Sequence, residues 1–389
     1  MNVELVSSDA ELGALCERVR GARRVALDTE FHAERTYAPR LMVVQVALED
    51  GAAIVDPLAI ADLTPLAKAV AGTEVVGHAL ASDLKIFAER FDLVPARVFD
   101  TQIAASFAGY GMQISLMELV RDLRGIRLGK SQTVSDWGAR PLTERQIDYL
   151  VDDVAHLLPM RDQLEERLRD AGRLEWVTQE CALLCDVERY RFDERRAYLR
   201  MPSAARMNRR ELGVLRALVA YRDSVARRRD VPARFILPDD VVSGLATLRP
   251  KTTADLAQLR RLDAGARRQH GSAILEIVAR AQTIAEGDLP ERPKRPLGVA
   301  RDTLVSLMGI VVGEIAREHG LAPTLLVPRA ALERVSRELP SDQQRLAHLL
   351  DLSAWRLQLV AEPLGRLLWG GASLVLEGYA DGDPKIRMQ

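Results

Sequence analysis

Strand-like patterning fills roughly the first 170 residues of this chain and then stops; from about Glu180 onward only helical periodicity remains. A chain written this way is expected to fold as an α/β unit followed by an all-helical part. In the first part, residues 25–27 form an apolar strand that leads directly into Asp28. Residues 41–48 (LMVVQVAL) and 52–55 are β-rich runs on either side of Glu49-Asp50-Gly51, a hairpin turn signal. Residues 64–70 are predicted helical, with Thr64 as N-cap and Pro65 at the first helical position. Residues 74–78 read as a strand, and residues 82–91 as a helix with Leu84, Phe87 and Phe91 along one face. Residues 115–123 are helical. Residues 143–169 form a long helix or a helix pair, with Thr143 and Gln146 spaced as in a capping box.

The helical part contains an internal repeat. One copy starts at Leu215 and the other at Leu304. Each has a helix ending in charged residues, a proline, and an apolar triplet before a second proline (Pro238; Pro328). Each then has another helix, a further proline break (Pro250; Pro340), and a last helix. Proline stops helices at fixed places, so the matching prolines read as two copies of a small all-helical domain, the alternative being chance similarity between helix–Pro–helix segments. The segment 286–298 (EGDLPERPKRPLG) is rich in proline and charge and marks a boundary between the copies. The expected division is 1–170, a connector 171–207, a helical domain 208–288, a linker 289–298, a second and more divergent copy 299–375, and a tail 376–389.

The 389-residue length allows several domains. No stretch approaches the roughly 20 apolar residues of a membrane span, and the first residues lack a secretory pattern. Cys16, Cys181 and Cys185 make neither a disulfide framework nor a zinc set. Cys181 and Cys185, one helical turn apart, read as buried small side chains. A reducing cytoplasm fits this usage. The net charge of −1 conceals an acidic first part and a basic remainder. Such asymmetry suits a protein that gathers cations at one end and phosphate at the other, although solvated surfaces give the same pattern.

Asp28-Thr29-Glu30 follows a strand, and positions i and i+2 of an extended chain share a face. Two carboxylates held side by side repel unless a cation sits between them. Oxygen-only ligation suits Mg²⁺ or Mn²⁺. Asp83 lies in GHALASDLKIF, in the first turn of a helix, where an acid also simply complements the helix dipole. Tyr149 and Asp153 are spaced i, i+4 and share a helix face, while Asp152 is expected to point elsewhere. A phenol so placed can orient or deprotonate a water. Taken singly, each of these residues has an ordinary structural explanation; their order along the chain is the specific signal.

That order, Asp-x-Glu, then Asp, then Tyr-x-x-x-Asp, resembles the DEDD exonucleases of the tyrosine subclass. The flanking text resembles the ribonuclease D family more closely still. LDTEFHAERTYAPRL with VVQVA is similar to its first exonuclease motif, and GHALASDLKIF to its second. VFDTQIAASFAGYG is similar to the connecting segment, and DYLVDDVAHLLPMRDQL to the third motif. The helical repeats resemble the HRDC domains that this family carries in tandem. The resemblance implies an RNase H-like mixed sheet with flanking helices, followed by two small all-α HRDC-like domains. It implies that Asp28, Glu30, Asp83 and Asp153 bind two divalent metal ions, with Asp28 bridging and Asp83 partly working through water. Tyr149 would then orient or activate the attacking water. The implied reaction is 3′→5′ trimming of RNA, typically tRNA precursors with 3′ extensions, to nucleoside 5′-monophosphates by a monomeric enzyme.

Outside the metal set, Arg35, Tyr37 and Arg40 are candidate RNA contacts, since Arg pairs with phosphate and Tyr stacks on bases. Arg227 and Arg228 are candidate phosphate contacts on the first helical repeat. His78 either faces the substrate or is a satisfied strand-end histidine. Asp100 reads as a helix cap. Two rival functions remain. Carboxylate chemistry alone does not separate RNA from DNA, because the 2′-OH is read by the pocket. A non-catalytic binder of structured RNA would be marked by loss of an acid, and all four acids are present. A helicase is excluded by the lack of a Gly-x-x-x-x-Gly-Lys-Ser/Thr loop.

Overall fold

The computed structural model describes residues 2–129, 135–292, 298–378 and 385–389. The first part alternates strands and helices: β1 (Asn2–Val6), α1 (Asp9–Gly21), β2 (Arg24–His32), β3 (Arg40–Leu48), β4 (Gly51–Val55), α2 (Thr64–Ala71), β5 (Glu74–Gly77), α3 (Ala81–Phe91), β6 (Arg97–Asp100), α4 (Thr101–Phe107), α5 (Leu116–Arg124), α6 (Glu144–Ala155), α7 (Leu157–Asp170) and α8 (Leu174–Ala182). The six strands form one mixed sheet in the order β1-β4-β3-β2-β5-β6. Strands β2, β3 and β4 are antiparallel neighbours; β1 pairs parallel with β4, and β2, β5 and β6 run parallel.

The sheet is buried on both faces, so beyond Arg40 strand β3 reads as an apolar run interrupted by Gln45 rather than as an alternating one. One face packs under α1, α2 and α3 through Leu15, Val19, Leu66, Val70, Leu84 and Phe87. The other packs under α6 and α7. The expected 49–51 turn links β3 to β4, and the helix over 143–169 is a pair that breaks at His156. Thr143 and Gln146 do form a capping box.

Four expectations need correction. Asp28, Thr29 and Glu30 lie inside β2, not after it. Thr64 is the first residue of α2 and Leu63 holds the cap position; the Thr64 N–H donates to Asp62 instead, at 2.8 Å. Strands β1 (NVELV) and β6 (RVFD) were not foreseen, because polar and charged residues break up their short apolar patterns. Finally, the chain returns to β structure at its end, where β7 (Leu374–Glu377) pairs antiparallel with β8 (Lys385–Met388).

The helical part is α9 (Arg209–Arg229), α10 (Ala233–Ile236), α11 (Asp239–Leu248), α12 (Thr253–Leu256) and α13 (Ala264–Gln282), then α14 (Val299–Glu318), α15 (Pro323–Leu326), α16 (Arg329–Glu338), α17 (Gln343–Leu350) and α18 (Ala354–Leu368). Both sets run long, one-turn, ten-residue, short, long. Helices α11 and α16 both end on a left-handed residue, Arg249 and Leu339, just before Pro250 and Pro340. Residues 293–297 of the expected linker lie outside the described residues.

The two sets meet the α/β unit differently. The first has its own core, built on Leu212, Leu215, Leu218, Val242, Leu245 and Ile274. The second shares a continuous core with the α/β unit. There Trp355 of α18 stacks on Trp176 of α8 at 4.7 Å and meets Phe107 of α4 edge-on at 5.3 Å. Arg356 clasps the Glu180 carboxylate with bonds of 2.6 and 2.7 Å.

Candidate active site

Strand β5 ends at Gly77, but β2 continues to His32. Beyond Ala26, β2 therefore has no strand neighbour on that side. The open edge is where Asp28 and Glu30 project and where the first turn of α3 delivers Asp83. Helix α6 crosses the same face and brings Tyr149 and Asp153. One carboxylate oxygen from each of Asp28, Glu30 and Asp153 lies within 4.8 Å of the others. Asp83 stands beside this trio, where Thr29 donates a hydrogen bond to its carboxylate.

The turn before α3 is held from behind. The Asp100 carboxylate caps α4 by accepting from the N–H groups of Gln102 (2.8 Å) and Ile103 (3.2 Å). It also accepts from Ala79 (3.1 Å) and Leu80 (2.8 Å) in that turn. Gly77 is required there, since a β-carbon would sit 2.2 Å from the Leu80 side chain. On the other flank, Arg140 pairs with Asp56 at 2.6 and 2.8 Å and donates to the Trp137 carbonyl at 2.8 Å. Trp137 is buried against Tyr149, with ring centroids 5.8 Å apart.

Crowding and burial leave the carboxylates reluctant to ionise. Burial, then repulsion from Asp83, Asp153 and Glu30, holds Asp28 well above the usual carboxylate range. Burial and the neighbouring acids push Glu30 up to about 8. Burial carries Asp83 to about 6, against the Thr29 hydrogen bond, and Asp153 to about 7. Oδ2 of Asp153 is buried with no hydrogen-bond partner. An all-oxygen cluster that repels itself, with an unmatched buried acceptor, has the donor set of a hard divalent cation. Burial and the same acids raise the Tyr149 phenol, which is therefore protonated at neutral pH.

A cleft of about 550 Å³ opens beside Tyr149 and Asp153, walled by Leu116, Met117, Leu128 and Arg145. Asp152 also lines it, contrary to the expectation that it points elsewhere. A second cleft, near 450 Å³, is lined by His32, Arg35, Arg40 and Asp136. The other expected contacts are differently placed. The Tyr37 hydroxyl donates to Asp223 at 2.7 Å and its N–H to Asp230 at 3.1 Å, both in the first helical domain. Arg227 lies over the Tyr37 ring at 5.4 Å and bonds Asp223 at 3.1 Å. Tyr37 and Arg227 are thus bound to each other and to Asp223, while the Arg227 side chain remains largely exposed. Arg228 donates to Ser224 at 2.6 Å from an exposed position. The His78 ring nitrogens lie 2.9 Å from Thr101 Oγ1 and 3.0 Å from the Ile114 carbonyl, so it is a satisfied histidine. Sequence reasoning missed Thr29 and the brace role of Asp100. Thr29 sits inside a motif already recognised; nothing local links Asp100 to residues 79 and 80.

Residues 3–169 match a family model described as 3′-5′ exonuclease, and residues 211–278 match the HRDC domain. Fold and site thus define a 3′–5′ exonuclease followed by an HRDC domain. Ribonuclease D of Gluconacetobacter diazotrophicus is 38% identical over 376 residues, covering 94% of each chain. Ribonuclease D of Granulibacter bethesdensis is 36% identical over 380 residues, 96% of this chain and 94% of its own. The crystal structure of Escherichia coli RNase D, described as an exoribonuclease involved in structured RNA processing, matches with a TM-score of 0.84 at 31% identity. That match covers 95% of this chain and 99% of the other. The chain belongs to the ribonuclease D family of metal-dependent exoribonucleases.

Proposed function

We propose that this protein trims RNA from the 3′ end by two-metal hydrolysis, one nucleoside 5′-monophosphate at a time, and that its substrates are tRNA precursors with 3′ extensions. The observation that carries this reading is the approach of Asp28, Glu30 and Asp153 to within 4.8 Å, with Asp83 and Tyr149 alongside. These four acids are the residues that would hold two Mg²⁺ or Mn²⁺ ions. Cations bound there would supply water activation and charge neutralisation at the leaving 3′-oxygen. Tyr149, whose phenol shares the site with these acids, orients or activates the attacking water through a hydrogen bond. Attack breaks the terminal P–O3′ bond, so the released nucleotide keeps its phosphate on O5′ and the shortened RNA regains a 3′-OH.

Arg35 and Arg40, in the second cleft, are suited to the backbone phosphates of the approaching strand. Arg228 is suited to more distant phosphates. The reading places the enzyme in the cytoplasm as a monomer; among the described residues, no helix is long and apolar enough to cross a membrane.

The test is digestion of 5′-labelled RNA and DNA of one sequence in Mg²⁺ or Mn²⁺. Stepwise RNA shortening with release of 5′-monophosphates is expected, and Asp28→Asn and Asp153→Asn should each remove it. Full activity in either variant overturns the site assignment. Release of 3′-phosphates overturns the mechanism. A preference for DNA favours the deoxyribonuclease alternative.

A further inference from the structure

Gln45 is fully buried in β3, and neither Oε1 nor Nε2 has a hydrogen-bond partner. A side-chain amide enclosed in this way is costly, and in folded proteins it is nearly always matched. Methionine or leucine would fill the same space without the cost. A reason for the amide lies across the ladder, where the Cα partner of Gln45 is Asp28. Directly opposed residues of an antiparallel pair project to the same face. Gln45 therefore stands next to the Asp28 carboxylate. On that face it lies between Val43 and Ala47. Val43 shares a core with Leu150, and Ala47 with Val154, so the amide lies beneath the part of α6 that carries Tyr149 and Asp153.

We propose that Gln45 is a positioning residue for the metal site: when cations are bound, its Nε2 donates to the Asp28 carboxylate and fixes which oxygen faces the cation. A neutral donor suits this place. A lysine would compete with the cation for the same charge, and an aliphatic side chain would leave the outer oxygen of Asp28 bare. Groups that orient a metal ligand from behind commonly contribute about 10–100-fold in metal affinity.

The inference rests on the metal-site reading, and one experiment separates the two. Gln45→Met and Gln45→Leu are compared with the wild type by thermal unfolding in EDTA and by calorimetric titration with Mn²⁺. Without metal, both variants should melt higher than the wild type, since they remove an unmatched buried amide. With Mn²⁺, both should bind at least about tenfold more weakly. Unchanged Mn²⁺ affinity overturns the proposal alone. A lower melting temperature without metal in the near-isosteric Met variant also overturns it, because the amide would then have a partner in the free protein. Failure of the wild type to take up Mn²⁺ overturns the metal-site reading and this proposal with it.

Discussion

Asp100 shows how much one carboxylate outside the reacting cluster can govern. Its two oxygens satisfy four backbone N–H groups, two in the helix it caps and two in the turn that presents Asp83. Replacement by Ala strands these donors in a buried place and should cost on the order of 3 kcal/mol in urea unfolding. The reacting acids behave in the opposite sense. Their folded-state pKa values lie above those of free carboxylates, so the metal-free folded protein binds more protons than the unfolded chain between pH 4 and 8. Stability from these groups is therefore present at low pH and lost as pH rises through about 6 to 8. In EDTA the melting temperature should fall from pH 5 to pH 8, and added Mg²⁺ should restore more at pH 8, where cations no longer compete with protons. A flat EDTA profile would contradict the electrostatic account. Tyr149→Phe should keep metal affinity while lowering kcat about 100-fold or more, measured in single-turnover digestion.

Among the elements, β2 matters most, because its length sets the site. The sequence made the apolar start of this strand visible, and the Asp-x-Glu spacing placed both acids on one face. It did not show that the strand continues through them, since charged residues in a strand look like a loop until α3 and α6 cover the edge. The helix termini were readable where a side chain caps them, as at Thr143, and misplaced at residue 64, where Asp62 supplies the bond from outside the helix. The contacts of the loop after β2 were not readable, because its partners are nearly 200 positions away. Tyr37, Asp223 and Arg227 join that loop to α9. Burial and Asp223 push the Tyr37 phenol up to about 12, so it remains a donor at any ordinary pH. A double-mutant cycle of Tyr37→Phe and Asp223→Asn should give a coupling energy of about 1 kcal/mol in urea unfolding. A coupling indistinguishable from zero would mean that the strut is ornamental.

At the scale of the whole molecule, the two helical sets hold the catalytic unit by unlike means. The first is joined by a few polar bonds to an otherwise independent core, and the second by a common apolar interior. The proline pattern announced the repeat, but the interface is composed of Phe107, Trp176 and Trp355, whose meeting no local pattern records. Trp355→Ala should cost about 3–5 kcal/mol and lower the melting temperature of the catalytic unit itself, as followed by hydrogen exchange in α4 and α8. Unchanged exchange there would show that the two cores are separable. The shared interior also has a consequence in time. Ribosomes deliver the residues in order, and Trp355 leaves some two hundred residues after the last metal-binding acid. Until it arrives, the face formed by Phe107 and Trp176 lacks its apolar cover, so on a nascent chain the catalytic unit reaches its full packing only after α18 has emerged.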